Sequence, residues 1–321
     1  MDKQPLLSIC IPTRNRADVL KQCLDSIVNS DDFTLDVEVV VSDNCSEDDT
    51  KKLVLNYVKK YSNIKYFRND SNLGGDRNIL FALERGSGIF KKLNNDYSIF
   101  EKDALGYLLK NIKKYKEQKP VLFFHNGNRE TEEIHMTCMD EIFLSEKWGM
   151  SWIGGYGYWK DDFDSFEKRD YRIETKFQQI DWFIRSFKLK KHIVCLNKVL
   201  TRRQPFQSKQ GGYNFIEVHT RNFLIQFEEL VPQGLLKESS LEIVKKESLM
   251  PAMVNWTVKL KMANKGKFSY DTKKSFDIIK REFGYYPWYK KELMKNIIRS
   301  IYSTIKVEYI KPLLKKSHLL K

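Results

Sequence analysis

The chain carries neither of the glycine fingerprints that cradle a pyrophosphate. No G-x-G-x-x-G follows the first apolar run, and no G-x-x-x-x-G-K-[ST] occurs anywhere. Both motifs bring bare backbone up to phosphate, so nicotinamide chemistry and P-loop hydrolysis are set aside. Long hydrophobic runs are lacking too. Nothing approaches the roughly 20 apolar residues of a spanning helix, and the opening M-D-K-Q-P-L-L-S-I-C-I-P is broken by Pro12 while still too short for a signal sequence. Cysteine is sparse: Cys10, Cys23, Cys45, Cys138 and Cys195 are odd in number and fall in no metal-ligand spacing. That pattern points to buried thiols in a reducing compartment. Acidic residues are scarce at one end only. Over residues 241–321, 19 Lys and Arg stand against 7 Asp and Glu, which puts +12 of the net +14 there. Charge placed in this way suits an anionic surface. No RRM, KH or zinc-finger pattern accompanies it, so nucleic acid is not an expected partner.

What is present is a folded chain of 321 residues, 41% hydrophobic and 13% aromatic, long enough for one large domain or two smaller ones. Residues 6–11 are almost wholly apolar, as in a strand buried on both faces. Val19, Leu20, Cys23, Leu24 and Ile27 then recur at helical spacing. Residues 35–42 make a second apolar strand, ending at Asp43-Asn44, and the helix after it carries Leu53, Val54, Tyr57, Val58 and Tyr61. A strand over 64–67, a turn over 72–78, a helix with Ile79, Leu80 and Leu83, and a strand over 89–93 complete the series. This alternation predicts a parallel sheet with right-handed crossovers, whose ligand lies beyond the carboxyl ends of the strands. Three polar clusters fall at those ends: residues 13–16, Asp43 with Asn44, and residues 94–96.

Ser8-Ile9-Cys10-Ile11-Pro12-Thr13-Arg14-Asn15-Arg16, then Val40-Val41-Ser42-Asp43-Asn44-Cys45-Ser46, then Asn72-Leu73-Gly74-Gly75-Asp76-Arg77-Asn78 resemble, in that order, the signatures of family 2 glycosyltransferases. The resemblance covers the first third of the chain and implies the α/β GT-A fold, a Rossmann-like mixed sheet flanked by helices, with a helical C-terminal extension. It implies a catalytic domain over 1–235, with a nucleotide-sugar half (1–118) and an acceptor half (119–235), followed by a basic helical region over 236–321. The implied reaction is inverting transfer of a sugar from a nucleotide-sugar donor, taken as UDP-linked, to a glycan or lipid-linked acceptor in surface polysaccharide biosynthesis. In this reading Asp43 accepts a hydrogen bond from the base, and Pro12, Thr13 and Arg16 line the nucleotide pocket. Arg77 sits by the base or the diphosphate. Asn94-Asn95-Asp96 matches the D-x-D metal motif with Asn94 in place of the first carboxylate. Asp96 would hold Mn2+ or Mg2+, Asn94 and Asn95 would face the donor, and His219 would be a further metal or diphosphate contact. Asp181 is the expected general base, with Asp161, Asp162 and Asp164 as alternatives.

Plainer roles stand beside these. Asp43 and Asp181 both suit a helix start, and the Asn-Asn-Asp cluster suits a turn. Lys91 and Lys92 are expected on an exposed edge or twist of their strand. The missing first carboxylate also allows a second reading, a catalytically degenerate sugar-nucleotide-binding protein. Further along, 121–125 reads as a strand, 126–139 as a polar excursion and 193–196 as a returning strand. The run Trp148-Gly149-Met150-Ser151-Trp152-Ile153-Gly154-Gly155-Tyr156-Gly157-Tyr158-Trp159 offers flat rings on which a sugar could stack, or a glycine-tolerant core strand. Leu293, Ile297, Ile298, Ile301, Ile305, Tyr309 and Ile310 form an apolar stripe among lysines. A basic amphipathic helix of this kind suits an anionic membrane surface, which predicts a cytoplasmic protein peripheral to the inner leaflet.

Overall fold

The computed structural model describes residues 4–127, 129–204, 210–264 and 268–311. The chain divides into two compact units, Met1–Cys138 with Trp152–Phe206, and Met139–Ser151 with Gln207–Lys321.

The first unit opens with β1 (Leu7–Thr13), α1 (Ala17–Val28), β2 (Val37–Asp43), α2 (Thr50–Lys60), β3 (Ile64–Arg68), α3 (Gly75–Arg85) and β4 (Phe90–Leu93). It continues through β5 (Ser98–Phe100), α4 (Ala104–Tyr115), β6 (Val121–His125) and β7 (Glu133–Met136). After α5 (Met139–Glu146), which belongs to the second unit, come β8 (Gly157–Trp159), α6 (Lys160–Ser165), α7 (Gln178–Lys190), β9 (Ile193–Asn197) and β10 (Thr201–Arg203). The main sheet runs β3-β2-β1-β4-β8, parallel except for β8, which pairs antiparallel with β4. A three-stranded sheet β6-β9-β7 and a ribbon of β5 with β10 complete the unit. Alternate residues of β1 and β2 go to opposite faces. Leu7, Ile9, Ile11, Val37, Val39 and Val41 join Leu20, Leu24, Leu105, Leu108 and Ile112 in one core. Ser8, Cys10 and Ser42 lie on the α3 side, where a Cβ at Gly86 would come within 3.1 Å of Cys10 and Ser8.

Three local expectations are corrected. The polar stretch 126–139 contains β7, which pairs antiparallel with β9, because Glu133-Ile134-His135-Met136 completes the backbone hydrogen bonding of a strand that would otherwise be an edge. The end of the aromatic run is core. Tyr156, Tyr158 and Trp159 are at most 2% exposed, and a Cβ at Gly155 would meet the Phe123 ring at 2.8 Å. Its glycines give room to rings of the protein itself. Lys91 and Lys92 are not on an edge, since β4 lies between β1 and β8. Lys91 is 1% exposed, paired with Asp164 at 2.8 Å and lying over the Phe163 ring. Lys92, 4% exposed, donates to the carbonyls of Leu93 and Gly154 and lies over the Phe124 ring.

In the second unit β11 (Gln210–Asn214) pairs parallel with β12 (Phe268–Asp271). Its helices are α8 (Phe215–Glu217), α9 (Phe223–Glu228), α10 (Glu238–Val244), α11 (Met250–Met262), α12 (Ser275–Phe283) and α13 (Tyr289–Ile305). π-helical turns join α8 to α9 and α10 to α11, and another extends α13 to Ile310. Phe143 of α5 packs on Phe227 with ring centroids 4.2 Å apart. The buried positions of α13 are Tyr289, Asn296, Ser300 and Thr304, whereas Met294, Ile298, Ile301, Tyr302 and Ile305 are exposed. Short polar side chains at i, i+4, i+8 form its inner face beside α11, and of the expected apolar stripe Ile298, Ile301, Ile305 and Ile310 are exposed while Leu293 and Ile297 are half-buried.

Burial pushes the Lys92 ammonium down to about 7. Below that pH both folded and unfolded chains hold the proton, and the cost of burying the charge stands in full. Between pH 7 and the ordinary lysine range the unfolded chain binds the proton that the folded chain has shed, so stability rises, by at most roughly 1.4 kcal/mol per pH unit. Urea unfolding of the wild type and Lys92→Met at pH 6, 7.5 and 9 should therefore show a difference that moves in favour of the wild type with rising pH. Parallel curves would refute this account.

Candidate active site at the carboxyl edge of the sheet

The site is built where β1, β2 and β4 end together. Thr13 pairs in register with Asp43, and the Asn94 backbone N–H donates to the Cys10 carbonyl at 3.0 Å. Thr13 Oγ1 donates to one oxygen of Asp96 at 2.9 Å, and the Arg16 guanidinium meets the other at 2.9 Å. Asp96 is 1% exposed. Burial pushes its carboxyl above the ordinary range, against the pull of Arg16 and Thr13.

Asp43 is fully buried and saturated. It accepts from the Ser46 N–H at 2.9 Å and the Ser46 hydroxyl, from the Tyr66 hydroxyl at 2.5 Å and from Arg68 at 3.0 Å. The first two bonds close the turn into α2, and the other two tie that turn to β3. Burial and the neighbouring Asp43 carboxylate push the Tyr66 phenol up. The loops after β1 and β2 are laced together: Asn15 N–H donates to Ser46 Oγ at 2.9 Å, Glu47 N–H to Asn15 Oδ1 at 2.7 Å, and Ala17 N–H to Asp48 at 3.0 Å. Asn15 adopts a left-handed φ of 51°, a conformation asparagine tolerates better than most residues.

Beneath these loops lies an amide network to which the sequence reading assigned no role. Asn78 Oδ1 accepts from the Ser42 hydroxyl at 2.7 Å and from Asn69 at 3.1 Å, while its amide donates to the Ser42 carbonyl at 2.8 Å. Asn44 Oδ1 accepts from Asn69 and from the Leu73 N–H, and Arg85 reaches Ser42 Oγ and Asn69 Oδ1. The one signal for it was Asn78 itself, closing the G-G-D-R-N motif on the buried side of α3. Arg77, next to it, is exposed and lines a groove with Phe81, Glu84 and Arg169. Pro12 is half-buried at the end of β1.

Asn94 turns inward, its amide on Cys23 Sγ at 3.5 Å and on the Asn95 carbonyl at 2.9 Å. Asn95 is 9% exposed. Asp181 stands in the first turn of α7, its side chain 14% exposed and paired with Arg185 at 2.9 Å. Burial pushes its carboxyl up despite Arg185. The start of α7 is tied to the start of α3: Gln178 donates to the Asp76 carbonyl at 2.6 Å, and Lys176 pairs with the Asp76 carboxylate at 3.0 Å. The other three carboxylates are held by lysines, Asp161 by Lys119, Asp162 by Lys190, and Asp164 by Lys91 and Lys160. His219 belongs to the second unit, stacked on Phe215 at 4.1 Å with Trp148 edge-on. Burial pushes it down to about 3, so it is neutral at physiological pH.

The donor set bears on any divalent cation. Among the described residues no group of three His, Cys, Asp or Glu side chains could hold one. Asp96 is the sole carboxylate of the 94–96 cluster, and both its oxygens are engaged. That fits a cation carried in with a substrate phosphate, as Mg2+ commonly is, better than a resident one held by an all-protein cage.

Residues 8–189 match the family model described as Glycosyl transferase family 2. The chain belongs to that family. Among curated relatives, the abequosyltransferase RfbV of Salmonella typhimurium is 38% identical over 104 residues, 32% of this chain and 31% of that one. The GalNAc(5)-diNAcBac-PP-undecaprenol beta-1,3-glucosyltransferase of Campylobacter jejuni is 38% identical over 106 residues, 33% of this chain and 34% of that one. The alignments thus span about a third of the length of these relatives. Among solved structures, S. aureus TarS 1–349 in complex with UDP-GlcNAc has a TM-score of 0.56 at 16% identity, covering 92% of this chain and 90% of that one. The mannosyltransferase PcManGT from Pyrobaculum calidifontis, in complex with GDP-Man and Mn2+, has a TM-score of 0.51 at 13% identity, covering 94% and 88%. At such identities the likeness is one of fold, and this family 2 chain has the mixed α/β GT-A architecture expected of it.

Asn78→Ala removes the acceptor of the buried Ser42 hydroxyl, one of the two acceptors of the Asn69 amide and a donor to the Ser42 carbonyl, and should cost about 2–3 kcal/mol. Urea denaturation checks this; a loss below about 0.5 kcal/mol, the size of an ordinary surface substitution, would mean that the network is not what sets the strand ends.

Proposed function

We propose that the chain is an inverting glycosyltransferase that moves a sugar from a nucleotide-sugar donor, UDP-linked in the favoured reading, to a glycan or lipid-linked saccharide in surface polysaccharide assembly. The observation that carries this is the junction of Thr13, Arg16, Asp43 and Asp96 at one carboxyl edge, where an open α/β sheet binds its ligand. Pro12, Thr13 and Asp43 would line the side of the base, with Arg77 at its margin. Arg16, Asn94 and Asn95 would face the diphosphate and sugar. Asp96 would hold Mn2+ or Mg2+ arriving with the donor, and such an ion would neutralise phosphate charge.

In the proposed reaction the acceptor hydroxyl forms a bond to the anomeric carbon as the bond from that carbon to the diphosphate breaks. The nucleoside diphosphate leaves with the electron pair, and the configuration inverts. Asp181 takes the acceptor's proton. Its partly buried position, which raises its proton affinity, suits a base. Arg16 supplies positive charge where the leaving group gathers negative charge.

We propose further that α13 brings the protein to an anionic membrane surface. Met294, Ile298, Ile301, Tyr302 and Ile305 are exposed on one side, with Lys290, Lys291, Lys295, Arg299 and Lys306 on the same helix and its extension. Apolar insertion flanked by lysine suits a lipid interface. No helix among the described residues is long and apolar enough to cross a membrane. The inward turn of Asn94 also favours a second reading, a sugar-nucleotide-binding protein without transfer activity.

A thermal-shift panel of nucleotide sugars, with and without Mn2+, should raise the melting temperature for the cognate donor. With that donor, Asp181→Asn should keep binding and lower kcat by at least roughly 100-fold, whereas Asp96→Asn should lose donor binding. Donor binding without turnover in the wild type would instead support the binding-protein reading. Co-sedimentation with anionic liposomes at low salt should be strong for the wild type and lost in the Ile298→Glu, Tyr302→Glu double variant. Equal sedimentation of both would remove α13 from that role.

A further inference from the structure

Arg77, Leu80, Phe81 and Glu84 recur at i, i+3, i+4 and i+7 along α3, so they share one face of that helix. Residues 166–170 form the opposite wall, and the two enclose a groove of about 430 Å3. That volume suits a small ligand. Buried Leu80 and Phe166 and half-buried Phe81 give the groove an apolar floor. Its rim is charged and balanced. Arg77, Lys168 and Arg169 stand against Glu84, Glu167 and Asp170. Arg169 pairs with Glu84 at 3.6 Å and lies 3.9 Å from Asp164. Among the described residues, the side chains of Arg77, Glu167, Lys168 and Asp170 have neither an ion pair nor a hydrogen bond.

The second wall is held in place by α7. The Trp182 ring N–H donates to the Arg169 carbonyl at 2.9 Å, and Arg185 donates to the Glu167 carbonyl at 2.6 Å while lying 5.9 Å from the Phe166 ring centroid. The same Arg185 pairs with Asp181 at 2.9 Å. One guanidinium thus joins the groove to the carboxylate proposed as the base. Asp76, beside Arg77, is tied to Lys176 and Gln178, so the first turns of α3 and α7 stand together.

Resting on the transferase reading above, we infer that this groove receives the acceptor and that the part it holds is an uncharged saccharide. A sugar ring has C–H faces that suit the apolar floor. Its hydroxyls both donate and accept, so a rim carrying cations and carboxylates can satisfy them in either direction. A phosphate or carboxylate on the acceptor would meet Glu167 and Asp170 as well as Arg77 and Lys168. Charges that cancel around the rim give such a group no complementary field. Lys168 and Asp170 are exposed on the 166–170 wall, so their replacement spares the core.

Saturation-transfer NMR and calorimetry on the full-length protein test this with the methyl glycosides of glucose, galactose, mannose and N-acetylglucosamine, set beside glucose 6-phosphate and glucuronic acid. At least one neutral glycoside should bind, and more tightly than either acidic sugar. For that glycoside, Lys168→Asn and Asp170→Asn should each weaken affinity roughly tenfold. Asparagine is chosen at 168 because it accepts the left-handed φ of 46° found there. Affinity for the nucleotide sugar that the wild type binds should stay unchanged in both variants. Binding of no neutral glycoside, tighter binding of an acidic sugar, or equal glycoside affinity in the wild type and both variants would overturn the acceptor groove. Glycoside binding lost in the variants, from a wild type that binds no nucleotide sugar, would instead sink the transferase reading and leave the groove as a saccharide site.

Discussion

A carboxylate removed from water must be met by donors and positive charge, and the end of this sheet is arranged around two that are. Asp43 is closed off on every side, by the turn it caps and by Tyr66 and Arg68 from β3. Asp96 is equally buried and, among the described side chains, is held by Thr13 and Arg16. Burial penalises the charged form of an acid, and neighbouring donors and cations repay that penalty to different degrees. Asp43 thereby fixes where β2 stops and α2 starts. Asp96, on the same edge, has its proton affinity raised.

The same balance recurs along β4, where cations replace acids. A strand between two others has no edge to turn toward solvent, so the amines of Lys91 and Lys92 must find partners inside. Lys91 does so in Asp164, and Lys92 in two carbonyls and the face of Phe124. These lysines fasten β4, and with it the 94–97 turn, to the segment carrying β8 and α6. The amide network of Asn44, Asn69 and Asn78 does the corresponding work under the loops after β1 and β2. A buried polar network of this kind rigidifies when every member is satisfied.

The second unit follows a different logic. Its core is aromatic and aliphatic, with His219 packed as a neutral ring against Phe215. Lys245, 3% exposed, is met there by Glu228 at 3.0 Å. α13 buries Tyr289, Asn296, Ser300 and Thr304 and leaves Met294, Ile298, Ile301, Tyr302 and Ile305 exposed.

Much of the first unit was legible in the residues. The apolar runs of β1 and β2, the periodic stripes of α1 and α2 and the polar clusters at the strand ends led directly to a parallel sheet with a ligand edge, because periodicity and topology together determine where strand ends fall. What the sequence could not disclose depended on partners distant along the chain. β7 is a strand because β9 stands beside it. Tyr158 is core because its hydroxyl finds the Gln179 carbonyl. Lys91 is buried because Asp164 is there to receive it, and Arg203 reaches Tyr97 only because β10 pairs with β5. A side chain's local pattern records its propensity and its face. Its charge partner, burial and role depend on long-range contacts, and those exist only once the tertiary structure has formed.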